Sequence, residues 1–189
     1  MNFKIVGLVA LVFFITVGCQ DDTFIPKPKA MLRLEYPTAV EAQFQNDDFS
    51  FNYNLQAKPL VKNKNAIILE YPEMKGAIFI THKKIENNLD KLIADAQKLS
   101  FEHLKKADNI TPRTFMNEKG KVYGTYFQII GDAASPSQFY LTDSINHFVT
   151  GSAYFYTKPN YDSILPAATY LQADMRAIME TMQWGEYDN

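Results

Sequence analysis

Residues 121–156 leave this chain little freedom. They read KVYGTYFQII, GDAASP, SQFYLTD, SIN and HFVTGSAYFY: three runs dense in aromatic and β-branched residues, separated by two short stretches of turn formers. Such runs suit a half-buried pleated surface rather than a helix. The connections are too short for a crossover to a parallel neighbour, so they predict an antiparallel meander.

A meander must bury its apolar face against something, and the rest of the chain offers partners. FSFNYN (49–54) sets Phe49, Phe51 and Tyr53 on one face and Ser50, Asn52 and Asn54 on the other; MLRLEY (31–36) alternates in the same way. AIILEY (66–71) and GAIFIT (76–81), joined by PEMK, read as a hairpin with a four-residue loop. In NNLDKLIADAQKLSFEHLKKAD, Leu89, Leu92, Ile93, Ala96, Leu99, Ser100 and His103 follow one helical face, with Asn87 or Asn88 as N-cap. A closing helix carries Ile164, Ala168, Leu171, Met175, Ile178 and Met182 inward; Asp162 or Ser163 is its expected cap, and Pro166 is expected in the first turn. Six to eight mostly hairpin-linked strands with two amphipathic helices predict an α+β fold, a mostly antiparallel sheet packed by helices.

The N-terminus is of a different kind. Lys4 precedes an apolar run from Ile5 to Val17, and Gly18 stands before the single cysteine, Cys19. The run is about 20 Å long as a helix, too short for a hydrocarbon core of about 30 Å, so it reads as a targeting segment. One cysteine in an exported chain cannot form an internal disulfide. ITVGC resembles a lipoprotein signal, with Thr16 where leucine is usual, cut before a cysteine that carries lipid. The expected organisation is a signal peptide over 1–18, a lipid-anchored tether over 19–30 containing Pro26 and Pro28, and one globular domain over 31–189. Through the lipid on Cys19 the membrane itself is an expected partner.

With 19 lysines and arginines against 21 aspartates and glutamates, the formal charge is −2. The basic residues occur as short interrupted pairs, which excludes the clustered cationic face a nucleic acid requires. Catalytic constellations are equally thin. His82, His103 and His147 lie on different predicted elements with no pair at ligand spacing, so no metal or cofactor is expected. Ser135, with Asp132 or Asp143 and His147 as partners, lacks the G-x-S-x-G elbow and reads first as a turn residue. Asp21/Asp22 and Asp47/Asp48 read as solvated acids in tether and loop. The eight glycines are spread singly, without a phosphate cradle. No catalytic residues are expected. The turn Gly131, Asp132, Ala133, Ala134, Ser135 and Pro136 is small enough to admit another surface closely, or merely to fit beneath a neighbouring loop.

IPKPKAMLRLEYP, IENNLDKLIADAQKLSFEHLKKAD, KVYGTYFQIIGDAASPSQFYLTDSINHFVTGSAYFY and PNYDSILPAATYLQADMRAIMETMQW together resemble the gliding-motility lipoprotein GldD family. The resemblance implies a non-enzymatic envelope lipoprotein required for gliding, whose partners are other envelope proteins of the gliding and type 9 secretion apparatus. It assigns a lipid-carrying residue, Cys19, and no catalytic or metal residues. The order of elements also resembles the PsbP/Mog1-like sandwich, an analogy that bears on architecture alone. Gln20, Asp21 and Asp22 resemble a surface-export signal; outer-membrane residence is expected, with either face open. Two rival readings stand beside this one. A cell-wall or saccharide module would use Tyr123, Tyr126, Phe127, Phe139, Tyr140, Phe148, Tyr154, Phe155 and Tyr156; an envelope hydrolase would use Ser135, His147 and Asp143.

Overall fold

The structure, a computed structural model, describes residues 35–102, 106–157 and 160–185. Seven strands form one antiparallel sheet: β3 (Lys58–Asn63), β4 (Ala66–Tyr71), β5 (Gly76–Lys84), β6 (Ala107–Asn117), β7 (Val122–Gly131), β8 (Ser137–Thr142) and β9 (His147–Phe155), in spatial order β3-β4-β5-β9-β8-β7-β6. A smaller sheet of β1 (Glu41–Gln45), β2 (Phe49–Asn54) and β10 (Gln183–Trp184) has β2 at its centre. Among the described residues the helices are α1 (Leu89–Phe101) and α2 (Tyr161–Thr181). This is the α+β fold with an antiparallel sheet that the patterning predicts.

The period-2 alternation of the strands sorts side chains onto two covered faces. Ile67, Leu69, Ile78, Ile80, Phe139, Leu141 and Val149 point toward α2 and β2, meeting Leu171, Met175, Ile178, Phe49 and Phe51 in the main core. The alternate residues Phe127, Tyr140 and Phe148 face α1 through Leu92. Because both faces are covered, β8 is buried at every position. Gly151 is required here, since a Cβ at that position would overlap the Phe139 ring across the strand pair.

The meander pairs as expected, with Tyr126 opposite Phe139 and Leu141 opposite Val149. The 66–81 hairpin closes Tyr71 onto Gly76 through a 3₁₀ turn over Pro72–Met74, with Lys75 in the left-handed region at φ 48°. Four strands had no separate expectation: β1, β3, β6 and β10. In β3 all six residues are exposed, so an inward phase is not written in KPLVKN. Glu35 and Tyr36 are not in a strand, and the rest of the 31–36 segment lies outside the described residues, as does His103.

Helix α2 begins earlier than its sequence suggests. Asn160, not Asp162 or Ser163, is the cap, its side chain accepting from the Ser163 backbone N–H. Pro166 is therefore past the first turn and removes one internal hydrogen bond. Residue 162 is exposed and 166 half-buried, which keeps that loss near solvent. Among the described residues no helix is long and apolar enough to cross a membrane.

Candidate functional site

The two sheets meet over a pair of histidines. In the β5/β9 register Lys84 lies opposite His147 and His82 opposite Val149, which makes the histidines diagonal neighbours on one face. Both stand in the inward phase of their strands, His82 following Ile78 and Ile80, and both are 1% exposed. The small sheet supplies the cover. Phe49 tilts against His82 with ring centroids 5.4 Å apart, and Trp184 stacks on His147 at 5.0 Å and 9°. The indole is fixed by its own N–H, which donates to the Lys121 carbonyl at 3.0 Å.

Asp48 completes the cluster from the β1/β2 turn. The Asn46 side chain accepts from the backbone N–H of Asp48 and Phe49 at 3.0 and 2.8 Å, a local turn that sets the Asp48 side chain toward the histidines. His82 Nε2 is 3.1 Å from His147 Nδ1, and His82 Nδ1 is 3.7 Å from Asp48 Oδ2. Burial is the main cause that lowers the pKa of both histidines, opposed chiefly by Asp48 at His82 and by Asp143 at His147. Both rings are therefore held toward the neutral form, with lone pairs available to an acid or a metal ion.

This cluster departs from two expectations. The histidines do lie on different elements, but strand pairing brings two of them into contact. Asp48 is half-buried against His82, and only its neighbour Asp47 behaves as an exposed loop acid. The inward phase of His82 was the available signal, hidden because the strand read over 76–81 stops one residue short of it.

The turn over 131–136 is more deeply set than its composition suggests. Gly131, Ala133, Ser135 and Pro136 are buried, while Asp132 and Ala134 are exposed. The backbone reverses at Gly131 with φ 116°, and a Cβ there would run into Asp108. Asp132 Oδ1 accepts the Tyr161 backbone N–H at 2.8 Å, tying the turn to the start of α2. Ile129 N–H donates to the Pro136 carbonyl at 2.9 Å.

The hydrolase trio is not assembled. Ser137 lies opposite Ala153, six residues along β9 from His147, so Ser135 sits at the other end of the hairpin, about 20 Å away. The Ser135 hydroxyl is buried and donates to the Ser137 carbonyl at 3.1 Å. Asp143 Oδ1 accepts three backbone N–H groups, from Ile145, Asn146 and His147, and so shapes the turn before β9.

Nor do the aromatic strands present a row of open rings. Tyr126, Phe127, Phe139, Tyr140 and Phe148 are buried in the two cores; Tyr123, Tyr154 and Phe155 are half-buried. Tyr156 is 59% exposed, with its hydroxyl donating to Glu70 at 2.8 Å. The cleft that Tyr126 borders, between Arg113 and Arg176, encloses about 110 Å³, below the ordinary range for ligand pockets. A wider groove beside Ile85 and Ile145 has no aromatic lining.

Two antiparallel sheets packed by two helices, with a polar cluster between the sheets, define the class of the described residues as α+β. The family described as gliding motility lipoprotein GldD matches residues 21–184, and the chain belongs to that family. No curated protein matches the chain. Cys19, the residue expected to carry lipid, lies outside the described residues.

Proposed function

We propose that this protein is a non-enzymatic, lipid-anchored component of the cell envelope that binds other proteins of the gliding and type 9 secretion machinery. The family match over residues 21–184 carries this reading. Lipid on Cys19 supplies the address, at the outer membrane, and 19–30 the spacer. The folded body supplies recognition, with the 131–136 turn as the contact. What supports the turn is its preorganisation. Two exposed side chains, Asp132 and Ala134, are displayed on a backbone held by Gly131, Ser135 and the Asp132–Tyr161 hydrogen bond, so little ordering entropy is lost when a partner docks.

Ala134→Arg tests the assignment, because an exposed alanine can be enlarged without disturbing the core. The variant is expected to unfold at the wild-type temperature, lose gliding, and lose the envelope proteins captured with the wild type. Cys19→Ala is expected to keep the captured set and lose membrane fractionation. An Ala134→Arg strain that glides and captures like the wild type removes the turn from the account. Intact gliding and secretion in a clean deletion strain removes the function itself.

A further inference from the structure

We propose that Asp48, His82 and His147 bind one divalent transition-metal ion of the zinc class, between the two sheets. The donor set is the first argument. Two imidazoles and a carboxylate form the combination that open zinc sites use, and imidazole selects zinc, cobalt, nickel or copper over calcium and magnesium. Distance is the second. One ligand atom from each residue lies within 4.8 Å of the others, and the closest pair is 3.1 Å apart. An ion with bonds of about 2.1 Å in tetrahedral geometry holds its ligand atoms roughly 3.4 Å apart. Closing the longest separation by about an ångström and a half falls to the Asp48 side chain, which is 18% exposed and can turn about its own bonds.

Gly185 spends its N–H on the Asp48 carbonyl at 2.8 Å, so the Gly185 backbone group that hydrogen-bonds His147 and favours its protonated form is the carbonyl. The cluster then contains three gaps in a row: Gly185 carbonyl to His147, His147 to His82, and His82 Nδ1 to Asp48. Each gap needs one hydrogen or one cation between two electron-rich atoms, and two neutral imidazoles supply two N–H groups. The two imidazoles are one hydrogen short. A cation between His82 Nε2 and His147 Nδ1 fills their gap and leaves the hydrogen on His82 Nδ1, a buried nitrogen with no hydrogen-bond partner among the described residues, facing Asp48.

A histidine pair packed only for structure would direct that nitrogen at a carbonyl or hydroxyl, as buried polar groups ordinarily are. Here it is directed at a carboxylate 3.7 Å away, on a side chain that is 18% exposed. The surroundings complete the arrangement: the Gly185 carbonyl fixes one nitrogen of His147 and leaves the other for the metal, and Trp184 holds the ring plane.

The test uses the full chain, stripped with a chelator and titrated with Zn²⁺ by equilibrium dialysis, with thermal unfolding followed in parallel. The expected result is one tightly bound equivalent, a rise in unfolding temperature, no comparable rise with Mg²⁺, and binding weaker in Asp48→Asn and His147→Gln by more than the roughly 10–100-fold that outer-shell changes cost. Cobalt substitution is expected to give the visible absorption of a low-coordinate site with nitrogen ligands, lost in His147→Gln. If a histidine variant does not fold, Asp48→Asn decides alone, since Asp48 lies on a partly exposed turn. Zinc bound with unchanged affinity by Asp48→Asn, or no zinc bound by the wild type, overturns the assignment.

Discussion

Two polar clusters interrupt the same apolar core, and they differ in how they are completed. Asp174 of α2 is 6% exposed, yet Asn54 Nδ2 reaches both of its carboxylate oxygens at 3.3 and 3.1 Å, and the Tyr71 hydroxyl donates to Oδ2 at 2.9 Å. Asn54 also donates to the Tyr170 hydroxyl at 2.7 Å, which passes its own hydrogen to the Pro37 carbonyl at 2.8 Å. Every hydrogen in this chain runs from a donor to an acceptor. The histidine cluster, at the other end of β2, leaves His82 Nδ1 without a hydrogen-bond partner among the described residues. The first cluster is closed by the protein alone, joining β2, β4, α2 and the segment before β1. The second leaves one buried nitrogen without a hydrogen-bond partner among the described residues, and the proposed metal ion would complete it.

The largest expected effect comes from breaking the complete cluster. Asp174→Ala leaves the buried donors of Tyr71 and Asn54 without their acceptor, at a cost of about 3 kcal/mol in urea unfolding. A loss below about 1 kcal/mol would show that water enters as readily here as at Asp48, and the contrast between the clusters would disappear.

A smaller effect sharpens the comparison through pH. Burial raises the Asp174 pKa above its ordinary 3.8, against the pull of the hydrogen bonds from Tyr71 and Asn54. The folded chain therefore holds this proton more tightly than the unfolded chain. The resulting stabilisation is full below about pH 4 and is lost as pH rises through the folded-state pKa, by about 1.4 kcal/mol for each unit of elevation. Asp174→Asn should abolish this part of the slope. The stability difference, wild type minus variant, is then expected to fall as pH rises from about 4 toward neutrality in matched denaturant titrations. A difference that grows with pH would mean that the hydrogen bonds outweigh burial.

Most of the scaffold for both clusters is legible in the sequence, and neither cluster is. Strands whose two faces differ in polarity announce themselves: Phe49, Phe51 and Tyr53 against Ser50, Asn52 and Asn54 mark β2 with its boundaries intact. Ala168, Leu171, Met175, Ile178 and Met182 mark the buried face of α2 in the same way. What fails to announce itself is contact between distant elements. Asn54 looks like a solvent-facing residue until α2 brings Asp174 over it, and the separation of 65 positions from His82 to His147 hides a pairing that only the β5/β9 register creates. Edge strands fail for a second reason, since β3 buries nothing and KPLVKN has no apolar phase to read. The Asn160 cap is missed because Asp162 and Ser163 offer equally good capping chemistry two and three residues later.

The smallest expected effect tests the incomplete cluster where it is weakest. In chelator-treated protein, Asp48→Asn is expected to change stability by no more than about 1 kcal/mol, because the carboxylate is partly solvated and its contact with His82 is 3.7 Å long to a ring held toward the neutral form. Asparagine can even place an amide hydrogen opposite His82 Nδ1, filling the gap that the carboxylate leaves. With zinc present the order reverses: the wild type gains stability in proportion to the logarithm of free metal, and the variant lags behind it. If Asp48→Asn in metal-free protein costs as much as Asp174→Ala, then Asp48 holds the fold as Asp174 does. The difference between the two clusters would then lie in their geometry alone, without bearing on what each one binds.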